Sequence, residues 1–334
     1  MSRDIQILDC TLRDGGHVND FLFGRTNISS ITEKLAMAGI DIIEIGFLQD
    51  VEFDQDKTLY DSLSRLQGLL PALKEHQCYS LMIRPDRFNI DALQEFESVG
   101  LLRFAFYEED FELAMSQANS AREAGYKVFL NPVNVMGYSA MALENLLREI
   151  NIFSPLGVSI VDTFGAMEIA DLERLYPVFE ANLNPDIRLG LHLHENLSLA
   201  YGLAQHFFRL ASPERGLVID ASLNGMGRIP GNLCTELIAE HLNQNNCRYD
   251  MNQIYSAIQE QIIPFKDQYE WGYCPAFAIS ARLGIHRSYP EYLKYRRNAP
   301  LTVIADVCAA LATHPMALRF SESVVEEILA KHEY

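Results

Sequence analysis

Eight short apolar runs, each followed by a segment of helical character, set the fold that this chain can reach. They span 5–12, 40–47, 78–83, 101–106, 126–132, 157–162, 187–193 and 217–223 and begin roughly 25 to 40 residues apart. That is the length of a strand–helix unit that feeds a parallel neighbour. Eight such units predict an α/β chain folded as a (β/α)8 TIM barrel, and a doubly wound open sheet is the alternative with the same alternation. Helix-start signals fill the intervals: Ser29 and Ser30 before 31–33, Asp91 opening a helix after Asn89, and Asp171 before Leu172.

The residues just past each run separate the two folds, because a barrel gathers its strand C-termini into one mouth. In that register stand Arg13, Asp14 and His17 after the first run, Glu44 and Phe47 at the second, and Arg84 after the third. Asn131 and Asn134 follow at the fifth, Asp162 and Thr163 at the sixth, and His192 and His194 at the seventh. An open sheet has no need for so many loops to carry converging polar groups.

The stretch 8–17 is the richest of these tips. Within it an apolar strand stops at an arginine, an aspartate, two glycines and a histidine. The glycines permit a sharp turn close to a ligand, while Arg13, Asp14 and His17 offer a fixed cation, a hard metal ligand and a titratable base. In the run 187–193, alternate residues share a face, so His192 points with His194 and away from Leu191 and Leu193. With Asp14 they would make a two-histidine, one-carboxylate set for a divalent cation, with positions left open for substrate. The plain alternative is a chance H-x-H pair and an aspartate that closes a turn.

After the eighth run, 223–232 is glycine-rich and leads into a helix, which suits an anion because free backbone N–H groups and the helix N-terminus both favour one. Its spacing is not that of a dinucleotide fingerprint, and a tight turn explains the glycines equally well. From about Asp250 the pattern becomes helical without strands, over 252–263, 276–283, 303–311 and 322–331. The expected organisation is therefore a catalytic barrel over 1–245 and a helical C-terminal extension over 246–334. Between them 268–275 is an aromatic segment able to fold over the barrel mouth, with Trp271 serving as a core or dimer-contact residue.

Composition narrows the partners. A net charge of −18 over 334 residues excludes a nucleic-acid surface, which needs clustered Lys and Arg. It leaves room for an anionic small molecule held by a few arginines such as Arg13 and Arg84. No apolar run nears the roughly 20 residues needed to cross a membrane, and no charged-then-apolar leader precedes Ile5, so a cytoplasmic address is expected. Cys10, Cys78, Cys234, Cys247, Cys274 and Cys308 are dispersed, without a C-x-x-C pair, which favours reduced thiols.

Taken together, these residues resemble the DRE-TIM metallolyases, the superfamily of 3-hydroxy-3-methylglutaryl-CoA lyase, isopropylmalate and homocitrate synthases and 4-hydroxy-2-oxovalerate aldolase. The resemblance rests on Thr11-Leu12-Arg13-Asp14-Gly15, Ile43-Glu44-Ile45-Gly46, Asp162-Thr163-Phe164-Gly165, His192-Leu193-His194 with Asn196, and the Gly225-Met226-Gly227 loop ending in Gly231-Asn232. These lie in family order over about the first 235 residues. The resemblance implies that Asp14, His192 and His194 ligate the metal, that Arg13 stabilises an enolate, and that Glu44 holds Arg13. Mn2+ is the expected ion, with Mg2+, Co2+ or Zn2+ compatible with the same ligands.

Within the superfamily the aldolase branch fits best. His17 matches its catalytic base, and Gly272-Tyr273 lies where that branch carries a tyrosine near the substrate. The expected substrate contacts are Arg13, Asn131, Thr163, Gly225 and Asn232. A reactive lyase-type cysteine is absent, since Met226-Gly227-Arg228 stands in its place, and there is no long regulatory domain of the synthase type. The resemblance therefore implies a class II pyruvate aldolase that cleaves or forms a 4-hydroxy-2-oxoacid through a pyruvate enolate, with an aldehyde as co-product. An acyl-CoA-dependent Claisen synthase or lyase, and a barrel retained as a scaffold, are the alternatives. The helical tail and its aromatics suggest a homodimer, or a contact with an aldehyde-consuming enzyme.

Overall fold

A computed structural model describes residues 4–228, 230–244 and 248–331. Ile229, Cys247 and the expected boundary at 245–246 lie outside the described residues. The strands are β1 Ile5–Asp9, β2 Ile42–Leu48, β3 Leu59–Tyr60, β4 Cys78–Ile83, β5 Val99–Phe106, β6 Lys127–Pro132, β7 Gly157–Val161, β8 Arg188–His192 and β9 Leu217–Ala221. Their pairings are parallel and run β1-β9-β8-β7-β6-β5-β4-β2, and a β1–β2 pairing closes the ring. Two-residue β3 is added alongside β2. The closed eight-stranded barrel excludes the open sheet.

Around it run α1 Arg25–Ala38, α2 Phe111–Glu123, α3 Ala140–Phe153, α4 Ile169–Asn182, α5 Ala200–Leu210 and α6 Thr235–Asn243. Helix α1 starts at Arg25 with Gly24 as its N-cap, so Ser29 and Ser30 lie inside the helix and do not open it. Ile28, Ile31 and Leu35, on one helical face, are buried, and this packing outweighs the capping preference of the serines. The helix expected at Asp91 is absent. In its place are 3-10 turns at Pro85–Arg87 and Ile90–Ala92, with Asn89 accepting a hydrogen bond from the Asp91 amide at 3.1 Å. The Gln117 amide of α2 donates to the carbonyls of Pro85 and Phe88, which satisfies this loop without a helix of its own.

Helices α7 Met251–Ala257, a π-turn Ile258–Ile262 and α8 Ile263–Lys266 share the main core with the barrel, as does Trp271. Beyond them α9 Pro275–Arg282, α10 Ser288–Tyr295, α11 Leu301–Leu311 and α12 Glu322–Lys331 bury one another around Phe277, Tyr289, Val307 and Leu329 in a second core. Among the described residues, no helix is long and apolar enough to cross a membrane.

The barrel interior is layered by the two-residue period of its strands. Leu8, Ile42, Leu101, Phe129 and Val218 form an apolar plug. Phe129 occupies the space that a side chain at Gly157 would need, since a Cβ there would lie 2.3 Å from the ring. Two residues further along the same faces stand Glu44, Arg103, Asn131 and Asp220, all buried. With His192 they make a polar layer directly beneath the barrel mouth.

Candidate active site

Asp14, His192 and His194 converge. One ligand atom from each lies within 4.8 Å of the others, and all three residues are buried. Asp14 sits in the turn after β1, where the amides of Arg13, Asp14 and Gly15 all donate to the Cys10 carbonyl. His192 is the last residue of β8. His194 lies past the strand, in a backbone bridge with Asn232, and its ring centroid is 4.8 Å from that of His192. The alternation read from the sequence thus carries beyond the strand itself.

Second contacts fix which imidazole nitrogen faces the cleft. The His194 Nδ1 is 2.7 Å from the Asp162 carbonyl, and the His192 Nδ1 is 3.0 Å from Asp220 Oδ2. A carbonyl and an ionised carboxylate can only accept, so each Nδ1 carries the proton and each Nε2 keeps its lone pair. The buried His194 Nε2 has no hydrogen-bond partner and lies 3.7 Å from Asp14 Oδ2. Burial drives the His192 imidazole below its ordinary pKa, toward the neutral form that ligates. Burial opposes ionisation of Asp14, but the Arg13 guanidinium beside it holds its carboxyl well below the usual range. One carboxylate, two imidazoles whose Nδ1 atoms are already engaged and an unpartnered His194 Nε2 fit a divalent cation.

Arg13 is locked beside this set. Its Nε donates to Glu44 Oε2 at 2.6 Å and its Nη1 to Asp14 Oδ1 at 2.6 Å. Its Nη2 makes no hydrogen bond to the described residues and Arg13 lines the cleft, so one edge of the guanidinium remains for a ligand. Beneath it, fully buried Arg103 donates to Glu44 Oε1 at 3.1 Å, to Asn131 Oδ1 at 2.7 Å and to Asp220 Oδ2 at 2.6 Å. Asp220 titrates at about 2, because Arg103 and His192 outweigh the opposing effect of burial. Glu44 and Asp220 therefore hold Arg13 and His192 respectively, and Arg103 holds both carboxylates.

The cleft above is open to solvent and spans about 700 Å³ with the solvent space at its mouth included. Arg13, Asp14, His17, Asn131, Thr163, His192 and His194 line it, as do Arg84, Tyr107, Asp220 and Arg228. His17 stands edge-on to Phe21 and Phe47, at ring separations of 5.0 and 6.0 Å. Burial, followed by the Arg228 charge, keeps its imidazole well below the ordinary value. Thr163 Oγ1 accepts from the Asn134 amide at 2.6 Å, and Arg84 is taken up by both oxygens of Asp86.

Three expected residues are not brought to the cleft. Tyr273 is 60% exposed and absent from its lining. Gly225 and Asn232 shape their own loop: the Asn232 side chain turns back toward the Met226 carbonyl and packs on Gly227, leaving no room for a Cβ there. The aromatic segment does reach the mouth loop, where the Trp271 indole donates to the Asn224 carbonyl at 2.9 Å.

The sequence of residues 106–260 matches the HMGL-like family model. The 4-hydroxy-2-oxovalerate aldolase of Bacillus cereus (strain ATCC 10987 / NRS 248) is 26% identical over 275 residues, covering 78% of this chain and 77% of that protein. Among solved structures, the HMG-CoA lyase of Brucella melitensis superposes with a TM-score of 0.64 at 16% identity, over 80% of this chain and 99% of the other. The chain is similar to HMGL-like proteins in its middle part and to these enzymes in its fold. The N-terminal domain of a proposed aldolase from Bacteroides vulgatus shares the fold of this chain at a TM-score of 0.75 and 22% identity, over 88% and 98% of the two chains.

Arg103, Asp220, Arg228 and Tyr107 are the groups at this site that sequence reasoning passed over. Arg103 and Asp220 did carry a signal, since each is a charge inside an otherwise apolar strand run, on the barrel-facing register.

Proposed function

We propose that this chain is a divalent-metal-dependent, class II aldolase that cleaves or forms a 4-hydroxy-2-oxoacid, with pyruvate and an aldehyde as the other side of the reaction. The observation that carries this reading is the Asp14–His192–His194 set beside an arginine preorganised by Glu44, with His17 on the same cleft. The 26% identity to the Bacillus cereus aldolase supports it.

Asp14, His192 and His194 would hold the cation, Mn2+ best suiting mixed oxygen and nitrogen donors. When bound, it supplies a Lewis acid for the 2-oxo oxygen. In cleavage, the neutral His17 imidazole accepts the proton of the C4 hydroxyl, the C4–O bond gains carbonyl character, and the C3–C4 bond breaks with its electron pair passing to C3. The resulting pyruvate enolate places negative charge where the free edge of Arg13 can receive it. A proton delivered to C3 completes pyruvate, and the aldehyde leaves through the cleft. Condensation is the reverse. A homodimer, or a second enzyme that removes the aldehyde, would bear on the helices after Cys274.

Pyruvate release from 4-hydroxy-2-oxovalerate, followed by a coupled lactate dehydrogenase, tests this directly. Exhaustive chelation should abolish the signal and Mn2+ should restore it. Full activity after chelation, or a metal bound away from these three residues, would overturn the reading.

A further inference from the structure

The charges at the site do not balance without a second anion. The polar layer holds the guanidinium groups of Arg13 and Arg103 against the carboxylates of Asp14, Glu44 and Asp220, all in direct contact. A divalent cation turns that deficit into one positive charge in excess, which the carboxylate at the pyruvyl end of the substrate neutralises. Arg228 stands outside this balance. It lines the cleft, its buried Nε has no hydrogen-bond partner, and among the described residues no carboxylate lies within ion-pairing distance of its side chain. Only its backbone is engaged, with the amide donating to Asp14 Oδ2 at 3.0 Å.

A second arginine approaches from the C-terminal helices. Arg287 is the N-cap residue of α10, and the neighbouring His286 amide donates to the Ala317 carbonyl at 2.7 Å, which fixes the segment within the C-terminal helices. The His286 ring also lies 6.0 Å from that of Phe164, in the loop after β7. The Arg287 side chain is largely buried, with one contact to Glu291 at 3.3 Å. Burial and then the field of Arg228 push its guanidinium down to about 10, the response of a cation held against a like charge. Arg228 lines the same cleft as His17, the group assigned to the C4 hydroxyl, and the charges of both arginines act on that imidazole. A cleft-lining arginine without a partner for its buried Nε, within the field of a second arginine, is unusual on a chain with a net charge of −18.

We infer that Arg228 and Arg287 form a second anion subsite, so that the aldehyde released or captured by this enzyme carries a terminal anionic group, a carboxylate or a phosphate ester. This rests on the aldolase reading and adds the substrate class to it. Guanidinium forks suit both oxyanions, and either would remove the repulsion between the two arginines.

The test is aldol condensation with pyruvate, using matched aldehydes on the Mn2+-loaded, full-length protein. Butanal is compared with succinic semialdehyde, and glyceraldehyde with glyceraldehyde 3-phosphate. At least one charged member should exceed its neutral partner about tenfold or more in kcat/KM, and which one does so identifies carboxylate or phosphate as the terminal group. Arg228→Gln should collapse that ratio to near unity, mainly through KM for the aldehyde, and Arg228→Lys should restore part of it. Exchange of the pyruvate methyl protons with deuterium, measured without any aldehyde, separates the two levels of the argument. Normal exchange, with charged and neutral aldehydes used equally well by wild type, overturns the subsite and leaves the aldolase standing. No exchange and no condensation with any aldehyde overturns the aldolase, and the subsite with it.

Discussion

Arg13 is worth more for its shape than for its charge. Two of its nitrogens are committed to Glu44 and Asp14, which leaves one planar edge aimed by the other two. Lysine keeps the charge and loses the fork, so Arg13→Lys should lower kcat by about a hundredfold or more; a kcat within a few-fold of wild type would make Arg13 structural. Asp220 acts one contact further back, through the proton of His192 Nδ1. Asp220→Asn should weaken metal binding roughly 10- to 100-fold by loosening the imidazole, a change read by competition with a chromogenic chelator. As the proposed base, His17 should set the pH dependence. Its base function needs the neutral imidazole, and burial and Arg228 hold its pKa well below 6.5. The rate should therefore stay level as pH falls through 6.5, and the acid limb should appear only lower. Removing the Arg228 charge relieves the protonated form, so Arg228→Gln should move that limb upward. A wild-type limb at or above pH 6.5 would contradict the assignment.

Among the elements, β5 does more than close the ring. Through Arg103 it joins β2, β6 and β9 in the polar layer, because Glu44, Asn131 and Asp220 all receive its guanidinium. Breaking a buried ion network by removing one partner strands the remaining charges, which typically costs about 3–5 kcal/mol. Arg103→Met should thus lower the urea midpoint by a corresponding amount and, by freeing Asp220 and Glu44, reduce metal affinity as well. An unchanged midpoint would mean that water enters and replaces the guanidinium. The strand runs were legible because burial on both faces makes parallel strands continuously apolar. The helix starts were less so. In α1 the apolar face extends to Ile28, and tertiary burial sets the start ahead of the two serines. In the loop after β4, Pro85 and the bonds from Gln117 replace a helix altogether.

Over the whole molecule, the two cores imply two levels of stability. The barrel strands are paired on both sides and lie in the main core, whereas α9 to α12 rely on a smaller cluster of their own. Local opening follows such divisions. Hydrogen exchange should therefore leave amides of β5 and β6 protected longest and release those of α10 to α12 earlier. Equal protection throughout would show that the two cores open as one unit. The helices also carry Arg287 to the mouth, so loosening them should weaken capture of an anionic aldehyde before it affects pyruvate proton exchange.

The sequence by itself determined the barrel and the donors at its mouth. Strand periodicity and position after each run marked Asp14, His192, His194, Arg13 and Glu44 as candidates at the mouth, and the resemblance to a known superfamily supplied their expected roles. The structure then showed what no local pattern contains: that Arg103 and Asp220 meet though 117 residues apart, that Tyr273 lies exposed outside the cleft, and that Arg228 lines it with its buried Nε unpartnered. Those relations depend on ring closure and on how the last helices pack across the mouth. Contacts of that range are set by the three-dimensional path of the chain, whereas residue spacing reports only its immediate neighbours.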